Sequence, residues 1–372
     1  MITALSLFTE MKRIDASDLY LTVGRPPSFR VNGSVQNWGD KSLTLEDLQA
    51  LTKELLDQKQ LEDFEKTKEQ NLAVQYDGLG RFRINAYQQK GQIAHVIRKI
   101  ETKIKTLDDL GLPSTLKDIS MTKRGLVLVV GATGSGKSTT LAAMIDHRNR
   151  NEAGHIVTIE DPIEFVHEHQ KCVVSQREVG MDTDSFRVAL KNTLRQAPTV
   201  ILIGEIRDEE TMEHALEFAE TGHLCLATLH SNNANQTMER VINFFPPERH
   251  KQIYLQLSLN LRGIVSQRLI KTPQGGRAAA IEILLGSARV KELIKKGEVD
   301  NLKDAMITGA TEGMQTFDEA LFKLLKEGMI SEPEALTNAD APTDLKLKIK
   351  LSGGAEGFSS ENNTLGFAPV AN

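Results

Sequence analysis

The spacing of apolar residues changes character along this chain, and the changes divide it into regions. In the first hundred residues, short stretches alternate between apolar and polar. Asp18-Leu19-Tyr20-Leu21-Thr22-Val23 predicts a strand, broken by Gly24-Arg25-Pro26-Pro27. Ser28–Val35 predicts a second strand with a turn at Asn32-Gly33, a dipeptide suited to a tight hairpin. Leu43–Phe64 has helical spacing instead, with Leu48, Leu51, Leu55 and Leu56 on one face. Leu72–Tyr76 and Arg81–Tyr87 alternate again around Asp77-Gly78. These elements predict a small α+β domain over residues 1–100, followed by a linker, 101–123, rich in Lys, Thr and Asp.

Beyond the linker the apolar runs become short and continuous, as in strands buried on both faces. Leu126–Val130, His155–Ile159, Val200–Ile203 and Leu224–Leu229 alternate with helical segments, which predicts a parallel sheet flanked by helices over 124–285. A helical subdomain, 286–337, follows, with three short amphipathic helices ended by Gly297, Gly309 and Gly328, read as left-handed caps. From residue 338 to 372, Gly, Ser, Asn and Pro rise and periodicity fades, so that tail reads as disordered.

Composition narrows the class. A 372-residue chain has room for two or three domains, and 40% hydrophobic residues supply a core. The 45 basic and 50 acidic residues give a net charge of −5 with no long block of either sign, which gives no general case for nucleic-acid binding. No apolar run reaches the ~18–20 residues needed to span a bilayer. Glu10, Lys12 and Arg13 interrupt the short apolar start, so no secretory signal is expected. Cys172 and Cys225 form neither a disulfide framework nor a metal quartet, and Cys225 reads as a reduced core residue. A cytoplasmic protein is expected.

The chemistry begins at Gly131-Ala132-Thr133-Gly134-Ser135-Gly136-Lys137-Ser138, which fits G-x-x-x-x-G-K-[ST] between a predicted strand and a helix opening at Thr139. Such a loop turns amides toward an anion, with Lys137 on the β- and γ-phosphates of ATP and the Ser138 hydroxyl on Mg²⁺. Val200–Ile203 then runs through Gly204 into Glu205, an acid at a strand tip, where it can meet the metal, directly or through water, and the attacking water. Thr158–Glu164 gathers Glu160, Asp161 and Glu164 around Pro162 at another strand end, which reads as a second-tier acid or a solvated turn. His223 and His230 bracket Leu224–Leu229. Seven residues apart, they point to opposite faces of an ideal strand, which argues against a shared metal. One could meet the γ-phosphate while the other ties the strand to a neighbour. Arg81, Arg83 and Arg98 of the first domain are either surface charges or fingers brought to the phosphate by another subunit.

These four segments resemble, in order and spacing, the Walker A, Asp box, Walker B and His box of the type II/type IV secretion ATPase superfamily. The resemblance covers roughly residues 4 to 335. It implies a homohexameric ring in which a PAS-like N-terminal domain joins a RecA-like core. In that arrangement Glu205 polarises water, Glu160 supports it and His230 senses the γ-phosphate. Arginines matching Arg83 and Arg98 complete the site from the N-terminal domain. Asp18-Leu19, Arg25-Pro26-Pro27 and Met314-Gln315-Thr316-Phe317-Asp318 resemble the pilus retraction branch, PilT/PilU. The chain lacks the long N-terminal extension and paired CxxC motif of extension and secretion ATPases. Three runs resemble the PilU side: Leu190–Pro198, His230–Gln236 and Ser258–Arg262. Ala288–Lys295 departs from the PilT helix AIRNLIRE, as does the extended tail. The branch implies partners in a PilT-type paralogue and an inner-membrane platform at the pilus base, and no nucleic acid. Competing readings are a pilus-assembly or type II secretion ATPase, a nucleic-acid motor, and an ATP-binding adaptor of a sister motor. The intact Lys137 and Glu205 weigh against the adaptor.

Overall fold

Alternation in the first hundred residues becomes a six-stranded antiparallel sheet with helices packed on one face. The computed structural model describes residues 2–31, 33–100 and 103–353. These residues divide into two units, one up to Lys103 together with Glu164–Val166, the other residues 104–163 and 167 onward.

In the first unit, α1 (Ala4–Arg13) is opened by Thr3, whose hydroxyl accepts the Ser6 amide, and it buries Leu7, Phe8 and Met11. Strands β1 (Asp18–Thr22), β2 (Ser28–Val31) and β3 (Ser34–Asn37) follow, with Val31 opposite Ser34. Asn32 of the predicted turn lies outside the described residues. The single helix expected over 43–64 is two, α2 (Leu45–Leu55) and α3 (Gln58–Thr67). Leu56 turns extended and the Asp57 side chain accepts the Gln60 amide, starting a new helix that apolar spacing alone does not separate. Strands β4 (Glu69–Tyr76), β5 (Gly80–Gln89) and β6 (Gln92–Ile100) complete the order β3-β2-β1-β6-β5-β4. Phe8 stacks on Phe82 with ring centroids 4.2 Å apart, and Leu19, Leu21, Ile84 and Ile97 pack around them.

The second unit starts inside the expected linker. Leu107, Leu112 and, from α4 (Thr115–Ser120), Leu116 and Ile119 are buried in its core. Leu112, Leu116 and Ile119 do keep helical spacing, but over eight residues, shorter than the window in which periodicity is read. The chain then forms β7 (Gly125–Val130), α5 (Lys137–Asn151), β8 (Gly154–Glu160), β9 (Cys172–Glu178), α6 (Phe186–Thr193), β10 (Val200–Ile203), α7 (Glu209–Glu220), β11 (Leu224–Leu229), α8 (Ala234–Asn243), α9 (His250–Asn260), β12 (Leu261–Lys271) and β13 (Arg277–Leu285). Their sheet has the order β13-β12-β7-β11-β10-β8-β9, parallel except for β13. Alternate residues of β7 enter different clusters, Leu126, Leu128 and Val130 one and Val127 and Val129 the other. The predicted α/β core therefore has both sheet faces covered.

The helical C-terminal region comprises α10 (Ala288–Lys296), α11 (Leu302–Thr308), α12 (Phe317–Lys326), α13 (Glu332–Asn338) and α14 (Pro342–Leu351). Gly297 is a left-handed cap as expected, but Gly309 has φ −91°. A Cβ at 309 would meet the tip of the Met314 side chain, which would have to shift to admit it. The disordered reading from residue 338 is corrected for Pro342–Leu351. Leu345 and Ile349 bury against Phe317 and Leu321, and the Asp318 carboxylate accepts the Asp340 and Ala341 amides. A two-residue apolar stripe was too short to register as periodic. Residues 354–372 of that tail lie outside the described residues.

His95 of β6 is buried, with Nε2 3.0 Å from Thr52 Oγ1, and burial pushes its pKa down to about 4. Between pH 6.5 and 4 the unfolded chain therefore binds a proton that the native state refuses, so stability present above 6.5 is lost on acidification. From pH 7 to 5 this amounts to roughly 2 kcal/mol. Urea unfolding followed by Trp38, the one tryptophan of the chain, should show that slope in the wild type and a shallower one in His95→Gln. Equal slopes would mean that His95 ionises freely.

Candidate active site

Between β7 and α5 the backbone turns through Gly131–Gly136. Gly136 sits at φ 88° and opens α5 with no side-chain cap, leaving the first-turn amides for another acceptor. Both Gly131 and Gly136 press against Gln267 of β12: a Cβ on Gly131 would lie 2.6 Å from the Gln267 carbonyl, and one on Gly136 2.7 Å from its Nε2. The Lys137 ammonium folds over its own loop, donating to the Gly131 carbonyl at 2.8 Å and the Ala132 carbonyl at 2.9 Å. The Ser135 hydroxyl is buried without a hydrogen-bond partner among the described residues. Ser138 and Thr139 lie in the first turn of α5. A cleft of ≈ 320 Å³ opens over the loop, walled on its other side by Asn232, Gln267, Arg268 and Arg277. An unsatisfied hydroxyl in the cleft wall, with an uncapped helix N-terminus and an ammonium on the same loop, fits a polyphosphate.

The second group of residues stands at the C-terminal tips of neighbouring strands, the edge where ligands bind in parallel sheets. Gly204 lets the tip of β10 pass close to β8, since a Cβ there would lie 3.1 Å from the Glu160 Cα. The next residue, Glu205, has Oε1 3.1 Å from His230 Nε2, and Oε2 accepts from Arg207 at 2.7 and 2.8 Å. Arg207 also lies 3.7 Å from Asp161, and the Glu205 carboxylate raises the guanidinium above its usual pKa. Glu205, Arg207 and His230 thus form one charged cluster. The Ile206 amide donates to the Thr228 carbonyl at 2.9 Å, and the Thr228 hydroxyl donates to the Gly204 carbonyl, fixing the tip of β10 to β11. Glu160 Oε1 accepts from Thr158 Oγ1 at 2.6 Å and Gln176 Nε2 at 3.2 Å. His223 contacts the Phe218 carbonyl and Thr221 in the turn before β11, while His230 leaves its far end to meet Glu205.

Arg83 and Arg98 belong to the first unit, directly opposite one another on β5 and β6. The same row continues to Asp18 and Arg30. Asp18 is nearly buried and holds Arg98 Nε at 2.9 Å and Arg30 Nη1 at 3.6 Å, while the Arg98 side chain remains 67% exposed. Residue patterning did not single out Arg207, Gln267 or Asn232. Arg207 could have been found from its i+2 spacing after Glu205. Gln267 lies more than a hundred residues beyond the loop it supports and carries no local signal.

The chain belongs to the type II/IV secretion system protein family, whose model matches residues 15–316. It is 53% identical to the type IV pilus ATPase PilU of Pseudomonas aeruginosa, over 95% of this chain and 92% of that protein. Identity to the type IV pilus retractation ATPase PilT of the same organism is 45%, over 88% and 95%. Among solved structures it resembles the pilus retraction motor PilT with bound ADP, with a TM-score of 0.87 and 38% identity over 93% of this chain and 100% of that one.

Gln267 Oε1 accepts the Thr140 hydroxyl at 2.7 Å, joining β12 to α5 just behind the loop. Gln267→Leu leaves that buried hydroxyl without its acceptor and removes the support under Gly136. Affinity for a fluorescent ADP analogue should fall about tenfold, the scale of one buried hydrogen bond. Wild-type affinity would mean that the loop holds its shape unaided.

Proposed function

We propose that this chain is a retraction ATPase of type IV pili, hydrolysing ATP to ADP and phosphate and coupling hydrolysis to mechanical work. The observation that carries the reading is the Glu205–His230 pair beside a complete phosphate loop. Identity spanning nearly the whole chain to a pilus ATPase supports the same conclusion. Higher identity to PilU than to PilT of one organism, with the departure at Ala288–Lys295, favours an accessory motor acting beside a PilT-type paralogue. In this reading residues 1–100 and 124–285 are the two functional domains, and six copies form a ring. The ring works in the cytoplasm, against an inner-membrane platform protein at the pilus base.

Phosphoryl transfer depends mainly on positioning and on charge neutralisation. Lys137 exchanges the Gly131 and Ala132 carbonyls for the β- and γ-phosphates, and the loop amides with Ser135 hold the remaining oxygens. Ser138 and Glu205 offer oxygen donors of the kind Mg²⁺ takes, and the bound ion would neutralise charge on the transferring phosphoryl group. Glu205 orients and polarises the water that attacks the γ-phosphorus as the bond to ADP breaks. His230, hydrogen-bonded to Glu205, registers whether a γ-phosphate is present, and Glu160 steadies the adjoining strand tip. Arg83 and Arg98, supplied by the first domain, stabilise charge on the transferring group. Fingers of this kind contribute roughly 10³–10⁵ in rate. Release of these contacts after hydrolysis frees the domains to rotate as rigid bodies.

Glu205→Gln should retain ATP binding and lose turnover by a factor of about 10²–10³, the scale for removing one catalytic electrostatic group. Glu160→Gln should lose less. Single-turnover assays decide, and the opposite ranking would transfer the main role to Glu160.

A finger working across subunits makes a further prediction. Lys137→Ala chains and Arg83→Ala chains, each inactive alone, should recover part of the activity when mixed, because some interfaces then pair an intact loop with an intact arginine. No recovery in mixed rings would place the finger within one chain.

A further inference from the structure

Glu282 is a buried acid that none of these steps uses. It lies on β13 opposite Ser266 of β12, and Ser266 in turn pairs with Val130, the last residue before the phosphate loop. Its side chain is shielded from solvent, yet Oε1 accepts two hydrogen bonds, from the Ala234 amide at 2.7 Å and the Ser266 hydroxyl at 2.9 Å. Ala234 is the first residue of α8, and its amide is one of the donors a helix start leaves without an internal partner. Four residues earlier stands His230, and Asn232 between them lines the cleft over the phosphate loop.

We propose that Glu282 is a positioning residue for ATP hydrolysis, its carboxylate anchoring the start of α8 and thereby the His230–Asn232 segment against Glu205. The inference rests on the roles given above to Glu205 and His230. A charged carboxylate suits the place, because it accepts both bonds with charge assistance and complements the positive end of the α8 dipole.

The surroundings place its ionisation in the working range. Arg268 on β12, Lys303 on α11 and Asp340 after α13 are the charged groups nearby, with Asp318 of α12 pairing Lys303 at 3.6 Å. Arg268 binds Asp340 at 2.8 Å and also reaches the Asn232 carbonyl at 3.4 Å. Burial raises the Glu282 pKa to about 7, with the two hydrogen bonds and Arg268 opposing the rise and Asp340 adding to it. Protonation on falling pH weakens both bonds and loosens the first turn of α8. The ionised form is therefore the active one.

The test is ATPase kcat and KM between pH 6 and 9 for the full-length wild type, Glu282→Gln and Ser266→Ala, with Glu205→Gln assayed alongside. Wild-type kcat should fall through an inflection near pH 7 that Glu282→Gln lacks. At pH 8 the Gln variant should be roughly five- to thirtyfold slower, the scale of losing charge assistance at a partly buried helix terminus, with KM for ATP unchanged. Ser266→Ala removes a bond that favours the charged form, so its inflection should move to higher pH. A purely structural role would shift neither inflection. If Glu205→Gln abolishes turnover while Glu282→Gln and Ser266→Ala keep the wild-type kcat and pH profile, this inference is wrong. If Glu205→Gln itself retains turnover, it is the assignment of Glu205 that fails.

Discussion

The second unit is governed by one constraint: its sheet is buried on both faces. A strand such as β10, with all four residues buried, has no lateral position where a charged group can meet solvent. Polar chemistry is then pushed to the strand ends, and in a parallel sheet one set of ends lies along one edge. Glu160, Glu205 and His230 stand within two residues of the ends of β8, β10 and β11, and the phosphate loop leaves β7 along the same edge. The site is a product of topology before it is a product of side chains. Ties such as that of Ile206 to Thr228 then fix the heights of the tips, so that Glu205 meets His230.

The same constraint explains what the sequence discloses. β7, β8, β10 and β11 were legible because strands covered on both sides are continuous apolar runs. β9, β12 and β13 belong to the same sheet and give no such uninterrupted run. They carry Gln176, Ser266, Gln267 and Glu282, polar residues that support the site or anchor its neighbours, and these interrupt the apolar signal. The phosphate loop and Glu205 were readable from local motif alone. The contacts of Gln267 and Glu282 join segments far apart in sequence, and only folding brings them together. Asp57 and Leu345 show the limit at smaller scale, since one cap or a two-residue stripe is below what periodicity detects.

The first unit solves a different electrostatic problem. Its sheet places Arg30, Asp18, Arg98 and Arg83 in one lateral row, in which the buried acid pairs with the arginine on either side while Arg83 stands one strand farther. Asp18 offsets part of the arginines' repulsion and fixes the base of Arg98, whose exposed end stays available. Arg83 has the β4 residue Ala73 on its other side, which leaves room for a long side chain. The Asp18-Leu19 pair that marks the family resemblance thus has a physical content: an anchor for arginine beside a core residue.

Lys137 ties the phosphate loop to itself. Its ammonium donates to the Gly131 and Ala132 carbonyls, so the loop supplies acceptors for its own cation. In the proposed reading an arriving phosphate displaces two hydrogen bonds, each worth about 1 kcal/mol net, and a departing one leaves behind a cation that the loop carbonyls can solvate. Entry and exit are therefore exchanges between acceptors. On that reading, the loop binds phosphate more weakly by the strength of the internal bonds that the phosphate replaces.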